Sequence, residues 1–187
     1  MMPGSMAHAI TSNPSPYEEG VYFLTTTVHE VLTLSFFYQR LANELASGAL
    51  SGIPYEQAWY AHVAMFDLIA VDLSRLIENR GDSWNFDQLF KLWVRLVNDS
   101  SRQRATRQAI NGRATRFDWL AHYRKNKVAH RSKKIPSNQL TALPQNVDGL
   151  DEVARVMDMF VEGQIPYILH FHASSQQINL RVELGIS

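Results

Sequence analysis

The chain has 187 residues and a formal net charge of zero, with 18 Lys and Arg against 18 Asp and Glu. Apolar residues make up 45% of it, which excludes an intrinsically disordered protein and suits a single domain with a packed core. The absence of cysteine excludes disulfides, thiolate metal sites and cysteine nucleophiles, and it favours a reducing cytoplasm.

The sequence also predicts a protein with no membrane partner. A membrane-spanning helix needs about 18 uninterrupted apolar residues. The nearest candidate, 21–38, is interrupted by His29 and Glu30. The N-terminus lacks the basic and apolar regions of a signal peptide, so we expect a cytoplasmic protein.

Hydrophobic periodicity, capping residues and helix breakers divide the chain into predicted elements. Residues 1–16, rich in Pro, Ser and Asn, are expected to be a flexible leader or an expression remnant. The predicted helices span 17–46, 54–79, 84–97, 102–110, 114–133 and 149–172. Their predicted start signals are Pro16, Pro54, Ser83, the run Asp99-Ser100-Ser101, and Asp148. Asn111-Gly112 predicts a break, and Gly163 and Pro166 should bend or divide the last helix.

These elements predict an all-α, up-and-down bundle of about five to six helices over 17–172, with mostly antiparallel neighbours. Neither an alternation of strands and helices nor a glycine-rich phosphate loop occurs in the sequence. Residues 173–187 are predicted to form a C-terminal tail, in which 178–184 alternates only weakly between apolar and polar residues.

The charges are distributed unevenly along the chain. Eleven Lys or Arg and a single acid, Asp118, lie between Ser101 and Lys134, so that this window carries +10 and the remaining chain −10. Such separation favours a polyanionic partner, a self-complementary interface, or both. A solvated basic helix is the plainer alternative.

The window ends in a compact motif, Tyr123-Arg124-Lys125-Asn126-Lys127-Val128-Ala129-His130-Arg131. Its Arg and His, separated by five residues on a late helix, resemble the signature of the HEPN superfamily. The ending Val-Ala-His resembles the abortive-infection branch of that superfamily, as do the stretches 72–78 and 87–90. The resemblance covers roughly 28–136.

The resemblance implies a metal-independent endoribonuclease that acts as a homodimer, often as the toxin of a phage-defence or toxin–antitoxin pair, with an antitoxin protein as partner. Carried over to this sequence, Arg124 and His130 would be catalytic at a cleft between two protomers. The family commonly places Asn, Asp or His directly after the Arg, whereas this chain has Lys125 there and Asn126 one position later.

The residue types suit RNA cleavage without a metal or other cofactor. Attack of the 2′-hydroxyl on the adjacent phosphate needs a group that titrates near neutral pH, such as His130, and a permanent cation, such as Arg124. Asn126 lies four residues before His130 on the same helix face. We expect neighbouring phosphates to be bound by Lys125, Lys127, Arg131, Lys133 and Lys134. The products would carry a 2′,3′-cyclic phosphate and a 5′-hydroxyl.

Helix geometry complicates this site. Six residues place His130 roughly 120° around an unbroken helix from Arg124 and about 9 Å along it. Arg124 shares the apolar stripe of Phe117 and Leu120, whereas His130 does not. Either the helix bends within 125–129, or the cleft is composite and each Arg124 meets the partner's His130. We favour the composite cleft.

Each candidate residue also has a structural alternative. Arg124 would pair with Asp67 or Asp72 of the second helix, and His130 would simply favour the negative end of its own helix. His122 is interpreted as a surface or interface residue rather than a catalyst, and His170 and His172 as too poorly placed for a metal site. The remaining aromatic candidates are interpreted as core or dimer-interface residues: Trp59, Trp84, Trp93 and Trp119.

Two alternative functions remain open. A non-catalytic module of the same fold would bind nucleic acid or a partner protein through the basic segment, which Lys125 favours. An assembly role would dock the basic segment on the acidic remainder of another copy.

Overall fold

The computed structural model describes residues 13–78, 83–120, 123, 143–144, 146–171 and 173–187, with backbone only for 113–116. The helices with bounds in these ranges are α1 (Pro16–Ala46), α2 (Gly52–Ile77), α3 (Phe86–Trp93), α4 (Ser100–Arg116), α5 (Leu150–Val161) and α6 (Leu180–Leu184). One antiparallel pair of short strands, β1 (Ile168–His170) and β2 (Gln177–Asn179), joins them. The fold is therefore an all-α bundle, as predicted.

The start of α1 follows directly from its sequence. The Ser15 hydroxyl accepts a hydrogen bond from the Glu18 backbone N–H at 3.3 Å, and the Glu18 carboxylate accepts one from the Ser15 N–H at 2.7 Å. This reciprocal capping satisfies two backbone donors that a helix start leaves unpaired. The predicted start near Pro16 is thus confirmed, while 1–12 of the predicted leader lie outside the described ranges.

Helices α1 and α2 make the most extensive contact of any two described elements, and both contribute wholly buried side chains to the core. Leu24, Val28 and Leu32 of α1 are wholly buried, as are Ile69 and Leu73 of α2. The steps of four between them within each helix place them on one face of that helix. Each such side chain stabilises the fold by about 1.5–3 kcal/mol.

Aromatic side chains pack α3 against α5. Trp93 of α3 packs edge-on against Phe160 of α5, with ring centroids 5.7 Å apart, and Phe86 stacks on the same ring at 6.3 Å. The interpretation of Trp93 as a core residue is confirmed, since it is 1% exposed.

The third and fourth predicted helices need correction. Asn85, not Ser83, caps α3 by accepting from the Gln88 N–H, and α3 ends at Trp93 rather than at Val97. Helix α4 runs from Ser100 to Arg116 through the predicted break at Asn111-Gly112.

The packing of α4 explains why it continues. Thr106, Ala109, Ile110 and then Phe117 are all buried, so core contacts lie on both sides of Gly112. These contacts outweigh the roughly 1 kcal/mol by which glycine disfavours a helix interior.

The last predicted helix, 149–172, is also wrong in its second half. Helix α5 ends at Val161, because Glu162 adopts the left-handed conformation at φ 59° and the Asp158 carboxylate accepts from the Ile165 N–H at 3.0 Å. The chain then enters β1, whose Leu169 pairs with Ile178 of β2.

The segment predicted as a C-terminal tail is part of the packed bundle. Leu180 is wholly buried, Arg181 is 3% exposed and Ile186 is 8% exposed. Within the described ranges, no helix is both long enough and apolar enough to cross a membrane.

Candidate functional site

From Arg124 onward, the motif lies outside the described residues. This applies to the predicted catalytic residues Arg124, Asn126 and His130, and to the predicted RNA-binding residues Lys125, Lys127, Arg131, Lys133 and Lys134. These assignments stay predictions, as do the bend or composite cleft and the interpretation of His122. The structure does describe the chain on both sides of the motif, and these flanks decide how the bundle would present it.

The approach to the motif is fixed in the core. Phe117 and Leu120 are each 3% exposed, and residues 118–120 and Tyr123 are helical. The Phe117 ring lies against the backbone at Gly149, the residue that caps the start of α5 in a left-handed conformation at φ 89°. A Cβ at Gly149 would lie 2.7 Å from the Phe117 Cζ, so only glycine fits.

Replacement of Gly149 by Ala is expected to lower the free energy of unfolding by about 2–4 kcal/mol, because it adds backbone strain to a steric clash with Phe117. Urea unfolding measures the change. Two control glycines separate the cost of backbone strain from the cost of the steric clash. Gly48 has φ 70° but open space around it, so Gly48→Ala should cost about 1 kcal/mol. Gly163 has open space and an ordinary φ, so Gly163→Ala should change stability by less than about 0.5 kcal/mol. Equal effects at Gly149 and Gly48 would contradict the close contact.

An aromatic cluster of Tyr38, His62, Phe66, Trp119 and Tyr123 joins α1 and α2 to the approach to the motif. Its centre is Phe66, which is 1% exposed. The Phe66 ring centroid lies 5.4 Å from Tyr38, 5.3 Å from Trp119 and 4.8 Å from Tyr123. Such pairs add about 0.5–1.5 kcal/mol each beyond the area that they bury. Trp119 is therefore confirmed as a partly buried packing residue.

The aromatic cluster holds both ends of the segment 124–142. The Tyr123 hydroxyl donates to the Asp67 carboxylate on α2, just before Arg124. The Tyr38 hydroxyl donates to the Pro144 backbone carbonyl, just after the segment. Burial raises the pKa of both phenols, and for Tyr123 the Asp67 carboxylate raises it further. Both phenols therefore stay protonated as donors at physiological pH. The residues on the two sides of the segment, Tyr123 and Pro144, are thus held by the same cluster.

His62 makes the aromatic cluster sensitive to acid. Its ring stacks on Tyr38 at 4.1 Å, it is 4% exposed, and its Nδ1 has no hydrogen-bond partner among the described residues. Burial lowers the pKa of His62.

Because its folded-state pKa lies below the unfolded value of about 6.5, the unfolded chain binds the proton more tightly. The stability that neutral His62 contributes is therefore complete above pH ~6.5 and is lost as the pH falls below it. Urea unfolding at about pH 7.5 and about pH 5 should show this loss in the wild type. The loss of unfolding free energy should be smaller in His62→Gln. An equal loss in both proteins would show that His62 does not cause the sensitivity to acid.

Two arginines of the basic window form ion pairs with acids that lie outside the window. Arg107 contacts the Asp87 carboxylate at 2.6 Å and lies 4.0 Å above the Phe90 ring. Arg102 contacts the Glu162 carboxylate at 3.1 Å. These pairs neutralise part of the charge of α4, so the window is less positive than its sequence alone suggests.

The structure brings together a second group of polar residues that sequence reasoning did not connect. His29, Glu30 and Thr33 of α1 face Asp72 of α2 across a cleft, with Leu169 of β1 beside them. The sequence held one signal for this cleft. Asp72 is an acid next to Leu73, which belongs to the apolar stripe of α2. The predicted alternative for Arg124 named Asp72 as a partner. In the structure Asp72 pairs with Arg75 at 3.0 Å, and Arg124 lies outside the described ranges.

Comparisons with known proteins identify no family for this chain. It matches no family model, no curated protein and no solved structure. The HEPN resemblance therefore rests on the motif and the stretches quoted with it.

Proposed function

We propose that the protein is a metal-independent endoribonuclease of the HEPN type, possessing a cleft between two protomers of a homodimer. His130 acts as general acid and base, Arg124 stabilises the charge on the phosphate, and Asn126 orients the substrate. The observation that carries the proposal is the Arg–His spacing in a segment whose two flanks, Tyr123 and Pro144, are both held by the aromatic cluster.

The geometry supports the proposal through rigidity. Catalytic groups must be held within a fraction of an ångström, and side chains on elements locked by packing meet this requirement better than free loops do. Phe117, Leu120 and Tyr123 contact the core immediately before Arg124. The positive window supplies a surface for the RNA backbone, for which affinity should fall as salt concentration rises.

The test is incubation of purified protein with RNA in the presence of a chelator. We expect cleavage with 2′,3′-cyclic phosphate ends by the wild type, and its loss in His130→Ala and Arg124→Ala. Equal cleavage by all three proteins would remove the assignment.

A non-catalytic RNA-binding module is the second candidate, which Lys125 favours because it occupies a position where the resemblance leads one to expect a small polar residue. Tight, salt-sensitive RNA binding without product would support this function over the first. The biological setting, as a toxin or phage-defence protein with an antitoxin partner, belongs to the same proposal as the HEPN resemblance.

A further inference from the structure

A cleft of about 350 Å³ opens between α1, α2 and β1. Its volume lies in the range of small-molecule sites. The wall is mainly apolar, formed by Leu34, Leu68 and Leu169. Leu68 is 53% exposed, so the apolar wall reaches solvent at the rim and leaves a hydrophobic surface for a ligand to cover.

The polar side of the cleft carries an uncompensated negative charge. Asp72 is 8% exposed, and among the described residues its carboxylate contacts one guanidinium, that of Arg75, at 3.0 Å. The Arg75 side chain is 56% exposed, so water weakens this pair. Glu30 adds a second carboxylate to the same lining. Among the described side chains at this side of the cleft, two carboxylates therefore face one guanidinium.

Arg75 only partly offsets the effect of burial on Asp72. Burial raises the pKa of Asp72, Arg75 opposes this, and Glu30 adds to the rise. An ionised carboxylate whose pKa remains raised beside an arginine gains from a further positive charge. Such destabilised groups in clefts are typical of binding sites.

Two more polar groups line the cleft. The Thr33 hydroxyl oxygen is shielded from water and has no hydrogen-bond partner among the described residues. A buried polar atom without a partner is costly, and a ligand donor would relieve that cost. His29 donates through Nε2 to the Ile168 carbonyl at 3.1 Å, so this ring is held by β1.

We propose that this cleft binds an organic ammonium ion with a short aliphatic body. The ammonium lies between Glu30 and Asp72, where carboxylates accept its three N–H groups, and the aliphatic chain lies along Leu34, Leu68 and Leu169. The proposal is independent of the ribonuclease function, because none of these residues belongs to the basic window.

The probe is n-hexylammonium, titrated into the full-length ¹⁵N-labelled protein and followed through the backbone amide signals. We expect saturable shifts concentrated at residues 29–34, 68–72 and 168–170. The matched probes 1-hexanol and heptanoate carry the same hexyl chain without the positive charge. They should bind at least about tenfold more weakly, because a charge-assisted hydrogen bond is lost.

Substitutions of single carboxylates test which of them bind the ammonium group. Asp72→Asn keeps the shape and should weaken hexylammonium binding by about tenfold or more. Glu30→Gln should weaken it less, because Glu30 is exposed. Glu44→Gln, an exposed acid on the same helix, is the matched control and should bind as the wild type does.

Three results would overturn the proposal: equal binding of hexanol and hexylammonium, shifts centred outside the cleft, or unchanged affinity in both carboxylate variants. If Asp72→Asn does not fold, Glu30→Gln tests the proposal alone, because Glu30 is exposed. Unchanged affinity for hexylammonium in Glu30→Gln would then overturn the proposed site.

Discussion

Replacement of Arg181 by Met is expected to lower the free energy of unfolding by about 3–5 kcal/mol. Arg181 is 3% exposed, and its guanidinium contacts both Asp158 carboxylate oxygens at 2.5 and 2.6 Å. Its Nε also donates to the Ile165 carbonyl at 2.6 Å. Methionine fills much of the same volume but leaves a largely buried carboxylate without its partner. The cost therefore comes mainly from the unpaired charge.

A surface pair provides the matched control. Arg155 contacts Glu152 at 2.5 Å one helical turn away, but its side chain is 49% exposed. Arg155→Met should therefore cost less than about 1 kcal/mol. Urea unfolding of both variants measures the difference, and the double variant Arg181→Met, Asp158→Leu should recover part of the loss because it removes both charges. Equal costs for the two single variants would show that Arg181 is not a buried anchor.

The first two helices could be predicted from the sequence because local and tertiary signals agree there. Ser15 and Glu18 form the cap that their spacing indicates, and the apolar stripe of α1 is the face that packs on α2. When propensity, capping and burial favour the same element, periodicity alone locates it to within a few residues.

The predicted elements are wrong where contacts between residues distant in the sequence determine the structure. Gly112 stays helical because Ile110 and Phe117 are buried on either side of it. The C-terminal residues join the bundle because Arg181 finds Asp158, 23 positions earlier in the chain. A pattern of neighbouring residues does not show which distant residues will be in contact. It therefore could not predict that α4 continues through Gly112 or that the C-terminal residues pack in the bundle.

The two candidate sites, the motif and the cleft, also differ in how far the sequence alone could predict them. The Arg124–His130 motif is contiguous in sequence, so a pattern can predict it. The cleft combines Glu30 of α1, Asp72 of α2 and Leu169 of β1, and β1 itself was predicted as helix. A site assembled from three separate elements becomes visible only when their packing is known.

Alanine at His130 or Arg124 is expected to lower the rate of RNA cleavage by about 10²–10⁴-fold. Loss of His130 removes proton transfer, and loss of Arg124 removes charge stabilisation of the phosphate in the transition state. Single-turnover cleavage of a labelled RNA in chelator measures the rate. The matched controls are Arg95→Ala, an exposed arginine outside the basic window, and His170→Ala, an exposed histidine of β1. Both controls should cleave within about twofold of the wild type, since their side chains lie on the surface outside the motif.

Mixing the two inactive variants distinguishes a composite cleft from a site within one protomer. If each Arg124 meets the partner's His130, a heterodimer of Arg124→Ala and His130→Ala holds one intact cleft and one cleft that lacks both groups. Random exchange of an equal mixture makes about half of the dimers mixed, so the activity should recover to about a quarter of the wild-type rate. If both groups act within one protomer, every cleft lacks one of them and no recovery occurs. Recovery after subunit exchange, with none in either variant alone, would therefore establish both the dimer and the partnership of Arg124 with His130.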